Sequence, residues 1–286
     1  MAQFTFGGKT VLFSGDLGRP HDPIMFAPAA VAETDYLVVE STYGNRRHPT
    51  DDPQDVLAGI IAATAAKGGT VVVPAFAVGR AQLLLYHLYH LKKARRIPDL
   101  PIFIDSPMAL DASDIFCAHP DDHRLSAEQA RAVCAVARHV PTVEGSKAID
   151  RNTVPSVIIS ASGMATGGRV LHHLKVFAPD PRCTILFTGF QAGGTRGAAM
   201  VAGAQTVKIF GQYVAVNAKV HNLDMLSAHA DADEILAWLK NFQKAPQTTF
   251  VTHGEPDASD ALRKRIADEL HWHAHVPEYR EEAELA

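Results

Sequence analysis

Strand-length apolar runs that alternate with helix-period segments constrain this chain more than any other feature. Residues 10–13 and 36–39 read as strands, each followed at once by polar residues and glycine. Residues 70–73 read as a buried strand, and 79–91 as a helix with Leu83, Leu84, His87, Leu88 and Leu91 on one side. The pattern repeats in a strand over 101–104, a helix near 107–117 and a second helix over 126–138, opened by a Ser-Ala-Glu-Gln cap at Ser126. Residues 157–160 are then followed by a helix over 168–177, and 184–188 by a glycine-rich loop. Between 205 and 220 the period changes to two, through Val207, Ile209, Tyr213 and Ala215 with Gly211 near the centre, which predicts an antiparallel hairpin. A helix over 232–242, a strand over 248–251 and a helix over 257–270 complete the chain. Strands alternating with helices predict an α/β fold with a mainly parallel core.

With 286 residues, 47% of them apolar, the chain can form one large domain or two ordinary ones around a sizeable core. No apolar run reaches the length of a membrane span, so no membrane partner is expected. The amino terminus lacks a charged region followed by an apolar stretch. The three cysteines, Cys117, Cys134 and Cys183, have no zinc spacing, and a reducing cytoplasm is the expected compartment. A net charge of −4 gives no global nucleic-acid signature and argues mildly against binding by bulk charge, while leaving room for a local channel in which metal ions and a few arginines neutralise bound phosphates.

The informative excess is histidine, fifteen residues, several of them beside Asp, Glu or Gly at the ends of apolar runs. Asp16 ends Val11-Leu-Phe-Ser-Gly-Asp, and Glu40 ends the run from Tyr36. His229 precedes a helix in Leu226-Ser-Ala-His-Ala-Asp, and His253 follows the strand that begins at Thr248. Taken singly, an Asp after a strand is usually a turn or helix cap, and a lone His is usually a structural residue. Together they have the composition of a metal site: a carboxylate to bridge, imidazole to ligate and a second carboxylate to orient a histidine. In open α/β sheets such strand ends are where ligands bind.

The glycine-rich strings suit phosphate. Ser162-Gly-Met-Ala-Thr-Gly-Gly-Arg precedes a helix, so its N–H groups and hydroxyls can meet an anionic oxygen, and Gly193-Gly-Thr-Arg-Gly can do the same. A single Gly-Gly pair is ordinarily a tight turn. Three strings each pair glycine with arginine, and the candidate phosphate contacts are Arg80, Ser162, Gly163, Thr166, Gly167, Arg169, Gly194, Thr195 and Arg196. Of the remaining histidines, one of His172 and His173 is expected to face the core, His48 to line the cleft, and His271-Trp-His-Ala-His to form a solvated edge.

Four strings, Phe13-Ser-Gly-Asp-Leu-Gly-Arg, Val39-Glu-Ser-Thr-Tyr-Gly-Asn-Arg, Leu226-Ser-Ala-His-Ala-Asp and Val251-Thr-His-Gly-Glu, resemble successive signatures of the β-CASP branch of the metallo-β-lactamase superfamily. That branch includes the nuclease subunit of the eukaryotic cleavage and polyadenylation machinery and its bacterial and archaeal relatives. Pro74-Ala-Phe-Ala-Val-Gly-Arg-Ala-Gln, Asp105-Ser-Pro-Met-Ala and the two glycine-rich strings are similar to the bacterial and archaeal members. The resemblance implies zinc-dependent hydrolysis of RNA phosphodiesters. By position, Asp16 corresponds to the aspartate that bridges two Zn²⁺ ions and His253 to a terminal zinc ligand. His229 corresponds to the histidine proposed as general acid, with Glu40 as its partner. A carboxylate on imidazole stabilises the imidazolium, which suits that role.

The family's His-x-His-x-Asp-His cluster, and a further histidine before Asp16, are absent from the sequence. The resemblance therefore implies an amino-terminally truncated member. Residues 1–47 and 223–286 would form the carboxy-terminal part of a metallo-β-lactamase αββα domain, and 48–222 the inserted, Rossmann-like β-CASP domain. The expected partners are RNA and either a second copy or a complementing amino-terminal chain. Hydrolysis by these residues alone is not expected, and the alternative is a non-catalytic RNA-binding or scaffolding subunit. A nucleotide-binding α/β domain is disfavoured because Gly-x-Gly-x-x-Gly and Walker sequences are missing.

Overall fold

A computed structural model describes residues 1–285. The chain divides into two compact units: Met1–Asp22, Phe26–His48 and the chain from Ala228 onward form the first, Pro23–Met25 and Pro49–Ser227 the second. The first unit opens with β1 (Ala2–Phe6), β2 (Lys9–Phe13) and β3 (Tyr36–Glu40). The second begins α1 (Pro53–Ala65), β4 (Val71–Pro74), α2 (Arg80–Lys93), β5 (Ile102–Ile104), α3 (Pro107–Ala118), α4 (Ala127–Cys134) and β6 (Arg138–His139). It continues through α5 (Val143–Asp150), β7 (Val157–Ser160), α6 (Val170–Phe177), β8 (Thr184–Phe187) and α7 (Arg196–Val201). The strands β9 (Thr206–Ile209), β10 (Gln212–Ala215) and β11 (Lys219–Asn222) close it. The chain then returns to the first unit as α8 (Ala232–Leu239), β12 (Thr248–Thr252), α9 (Pro256–Leu270) and β13 (Ala274–His275).

The fold is mixed α/β. In the second unit six parallel strands lie in the order β11-β8-β4-β7-β5-β6. Both faces of β4, β7 and β8 are buried, which is why these strands are unbroken apolar runs rather than alternations. Leu84, Leu85 and Leu88 of α2 pack with Val71, Val73 and Ile102 on one side; Val170 and Leu174 of α6 pack with Val72, Ile158 and Ile185 on the other.

In the first unit the sheet order is β1-β2-β3-β12-β13, with β3 parallel to both β2 and β12. Leu12, Leu37, Val39 and Val251 pack against Ile235, Leu239, Leu262 and Ile266 of α8 and α9. On the opposite face Phe4, Phe6 and Phe13 are exposed, with the rings of Phe4 and Phe13 5.8 Å apart.

Several boundaries differ from the sequence expectation. The helix expected over 126–138 stops at Cys134, because Arg138 and His139 pair with β5 as an edge strand. The period-two stretch divides: β9 and β10 form the antiparallel hairpin, while β11 runs parallel to β8. Helix α1, absent from the expectation, starts at an Asp52 cap that accepts the Gln54 N–H, with Pro53 at the first helical position.

His87 of α2 is only 6% exposed, its Nδ1 has no hydrogen-bond partner among the described residues, and burial pushes its imidazole down to about 4 despite the opposing charge of Asp52. Its folded pKa lies below the unfolded value near 6.5, so this contribution to stability is complete above about pH 6.5 and is lost as the pH falls toward 4. The urea midpoint of His87→Leu is expected to fall less than that of the wild type between pH 7.5 and pH 5, a difference of about 2 kcal/mol. Identical pH profiles would contradict the assignment.

Candidate active site

Three strand ends and one helix approach of the first unit bring Asp16, Glu40, His229 and His253 together. Strand β2 is followed by Ser14 and Gly15; Gly15, at φ 58°, turns the chain so that Asp16 is presented with its side chain 68% exposed. Glu40 is the last residue of β3 and its side chain is 2% exposed. Its N–H donates to the Ser14 hydroxyl at 3.1 Å, and its carboxylate accepts the N–H groups of Leu17 and Thr42. The same carboxylate lies 2.9 and 3.0 Å from His229 Nδ1. A carboxylate at this distance accepts, so Nδ1 carries a proton, and Nε2 faces Asp16 Oδ2 at 3.9 Å.

His253 follows β12 in the left-handed region, φ 65°, with its Nδ1 3.7 Å from Asp16 Oδ1. The next residue must be glycine: a Cβ on Gly254 would stand 2.4 Å from the Ser41 hydroxyl and 2.5 Å from the Ser41 carbonyl oxygen. The Thr42 hydroxyl sits between the imidazoles, 3.3 Å from His229 Nδ1 and 3.2 Å from His253 Nδ1. One ligand atom from each of Asp16, His229 and His253 lies within 4.8 Å of the others. This donor set, one carboxylate and two imidazoles, fits a single divalent ion with open coordination positions. It is too small for two.

The backbone around His229 is held by residues of less obvious role. The Ala230 N–H donates to the Leu17 carbonyl at 2.8 Å, and Asp231 caps α8 in a reciprocal box with Glu234. Asp231 also accepts the His48 N–H, and His48 Nε2 donates to the His229 carbonyl at 2.9 Å. His48 is thus a brace for the His229 segment, buried rather than lining a cleft. Ser14 and Thr42 carry no sequence signal beyond standing two residues from Asp16 and Glu40.

In the second unit the glycine-rich strings all follow carboxyl ends of parallel strands: Arg80 after β4, residues 162–169 after β7 and 194–196 after β8. Their polar groups are extensively bonded within the fold. The Ser162 hydroxyl accepts the N–H groups of Thr166 and Gly167, and Thr195 caps α7 through Ala198. Gly163 packs on Phe76, and Gly194 takes φ 79°. Arg169 donates to Asp105 and to the Val140 and Pro141 carbonyls; Arg196 donates to the Ala165, Thr166 and Lys208 carbonyls. Arg80 is buried at the start of α2. Of the adjacent pair on α6, His173 faces the core and His172 is exposed. His271 caps α9 at φ 58°, His273 lies beside Thr248, and His275 pairs with Glu281.

Two family models match the chain, the Beta-Casp domain over residues 81–200 and the Zn-dependent metallo-hydrolase RNA specificity domain over residues 213–277. A ribonuclease of Thermus thermophilus is 37% identical over 270 residues, which is 91% of this chain and 61% of that protein. A transcription termination factor FttA of Methanosarcina mazei is 30% identical over 281 residues, 92% of this chain and 44% of that protein. An RNase J-like protein of Methanocaldococcus jannaschii is 29% identical over 263 residues, with shares of 87% and 59%. The chain therefore spans between 44% and 61% of the length of these relatives. No helix among the described residues is long and apolar enough to cross a membrane. With its signature strings in order, its mixed α/β architecture and both domain matches in sequence, the chain belongs to the β-CASP family of the metallo-β-lactamase superfamily.

Proposed function

We propose that this chain provides the proton-donating side, and part of the metal-binding side, of a zinc-dependent RNA phosphodiesterase acting in cytoplasmic RNA processing. The observation that carries this reading is the His229–Glu40 pair, 2.9 Å apart, facing the Asp16 and His253 side chains. Asp16 and His253 would hold zinc, which when bound lowers the pKa of a coordinated water and offsets phosphate charge. Glu40, fixed by the Leu17 and Thr42 N–H groups, sets the orientation of the imidazole and keeps its Nδ1 protonated. His229 Nε2–H is then directed outward, where it donates a proton to the leaving ribose oxygen. The ribonuclease and termination-factor relatives support RNA as the substrate.

We assign residues 1–47 and 223–286 to a metallo-β-lactamase-type domain and 48–222 to a β-CASP domain. In the second, the 162–169 loop and residues 194–196 present the face for RNA phosphate, with Arg169 and Arg196 bracing the loops, while Arg80 is buried at the start of α2. The three-donor set and the exposed Phe4, Phe6 and Phe13 support a requirement for further polypeptide carrying the His-x-His-x-Asp-His ligands, within one protein or as a complementing chain. The same incomplete ligand set supports the second reading, a non-catalytic RNA-binding subunit.

Zinc content and cleavage of labelled single-stranded RNA separate these readings. The purified chain is expected to retain fewer than two zinc ions through dialysis and to cleave nothing, with cleavage appearing once an amino-terminal half bearing the missing ligands is added. Two tightly held ions with cleavage by the chain alone would show the site to be complete. A complemented assembly that binds zinc and RNA without cleaving would favour the non-catalytic subunit.

A further inference from the structure

The β9–β10 hairpin presents aromatic rings that its packing does not use. Val207, Ile209 and Val214 face inward and are buried, which fixes the hairpin to the second unit's core. The opposite face carries Lys208 directly across from Tyr213, which is 76% exposed, with the Lys208 Nζ 5.9 Å from the ring centroid. At the tip, Phe210 is 55% exposed, and its ring lies 4.8 Å from that of His172 on the outward side of α6. Scattered exposed apolar residues are ordinary, but here two exposed rings and an ammonium stand within one short hairpin, and a third ring lies against its tip.

Charge is distributed to match. Residues 151–222 contain seven Lys and Arg against one acid, Asp180, whereas the rest of the chain has twenty against thirty. The overall −4 therefore conceals a basic segment, and this hairpin lies within it. Arg196 joins the parts: it donates to the Lys208 carbonyl on the hairpin and to the Ala165 and Thr166 carbonyls in the glycine-rich loop. The rings are thus held beside the loops that follow β7 and β8.

We propose that Phe210, Tyr213 and His172 form a base-stacking platform for single-stranded RNA, with Lys208 meeting the adjacent phosphate. This rests on the RNA reading above and adds to it a place where bases, not only phosphates, are held. Stacking needs exposed ring faces and nearby positive charge, and it is tolerant of sequence because every base has a π-face. Bases paired inside an A-form duplex are not available to such a surface.

The test is fluorescence anisotropy of the full chain with a twelve-nucleotide oligouridylate and with an abasic oligonucleotide of equal length and charge. Phe210→Ala and Tyr213→Ala are each expected to weaken oligouridylate binding about fivefold or more and to leave abasic binding unchanged. Tyr213→Trp, which keeps a ring, is expected to retain affinity. Lys208→Ala is expected to weaken both and to reduce the slope of log K against log salt by about 0.7. Both rings are solvent-exposed, so an unchanged thermal midpoint accompanies these effects. If the wild type binds oligouridylate and the alanine variants bind it equally well, the platform is wrong and the RNA reading stands. Equal losses on both oligonucleotides would assign the hairpin to charge or folding and also overturn the platform. A wild-type chain that binds neither oligonucleotide overturns the RNA reading and the platform with it.

Discussion

His229→Ala is expected to reduce RNA cleavage by the complemented enzyme about a thousandfold while leaving zinc content unchanged. The expectation follows from the different surroundings of the two imidazoles. His229 Nδ1 is committed to Glu40, whose carboxylate is already fixed by two backbone N–H groups, so the ring cannot turn to offer Nδ1 elsewhere. Nε2 remains, 3.9 Å from Asp16, close enough to serve a substrate oxygen bound beside that carboxylate. His253 is held less firmly: its Nδ1 lies 3.2 Å from the Thr42 hydroxyl and 3.7 Å from the exposed Asp16 carboxylate, and its side chain is 57% exposed, which suits a metal ligand. The competing possibility is that His229 itself ligates, since its nitrogen belongs to the same three-residue cluster. Single-turnover cleavage and zinc analysis on the same variant decide between them. Loss of rate with zinc retained supports proton donation; loss of zinc assigns His229 to the metal. Glu40→Ala should follow His229→Ala in direction, with a smaller loss, because it frees the ring without removing it.

Much of this site was legible because each member lies in a short string beside a strand end. Asp16, Glu40 and His253 directly follow or end apolar runs, and His229 precedes a capped helix, so local sequence placed all four. What could not be read is whatever depends on a distant segment. His48 meets His229 across 181 residues, and the Thr42 hydroxyl reaches imidazoles 187 and 211 residues away. Composition also cannot distinguish an arginine facing solvent from one bracing carbonyl oxygens, which is what Arg169 and Arg196 do. In the fold, β4, β7 and β8 were plain because burial on both faces demands continuous apolar sequence. Strand β1 was missed, although Gly7-Gly8, both at positive φ, are a local signal for the β1–β2 hairpin. Strand β11 has none, because a period of two does not say whether a strand's partner is its neighbour in sequence or β8.

Asp105→Ala is expected to destabilise the second unit by about 3–5 kcal/mol. Asp105 follows β5 and is fully buried, with Oδ1 accepting from Arg169 at 2.6 Å and Oδ2 accepting from Ser146 and from His173 Nε2 at 2.8 Å. His173, also fully buried, has its Nδ1 2.6 Å from Asp150, so both ring nitrogens face carboxylates and the imidazolium form is favoured. Burial alone would push the Asp105 carboxyl up, but its bonds to His173, Ser146 and Arg169 outweigh burial and hold it below the usual range. For His173 burial pushes down, and the bonds to Asp105 and Asp150 outweigh it and raise the imidazole. The signs define a window. The Asp105 contribution is present above the ordinary carboxylate range and is lost as the pH falls through its depressed folded pKa. The His173 contribution is complete below about pH 6.5 and is lost as the pH rises through its raised folded value. Removing Asp105 leaves two cations, Arg169 and His173, with Asp150 alone, and it releases the end of the 162–169 loop that Arg169 ties to the Val140 and Pro141 carbonyls. Urea midpoints between pH 6 and pH 9 measure both effects: the wild type should lose stability on the alkaline side, and His173→Leu should abolish that loss while lowering stability at pH 6. A variant at Asp105 within 1 kcal/mol of the wild type, or a wild type insensitive to pH in this range, would show that the network is not held by its charges.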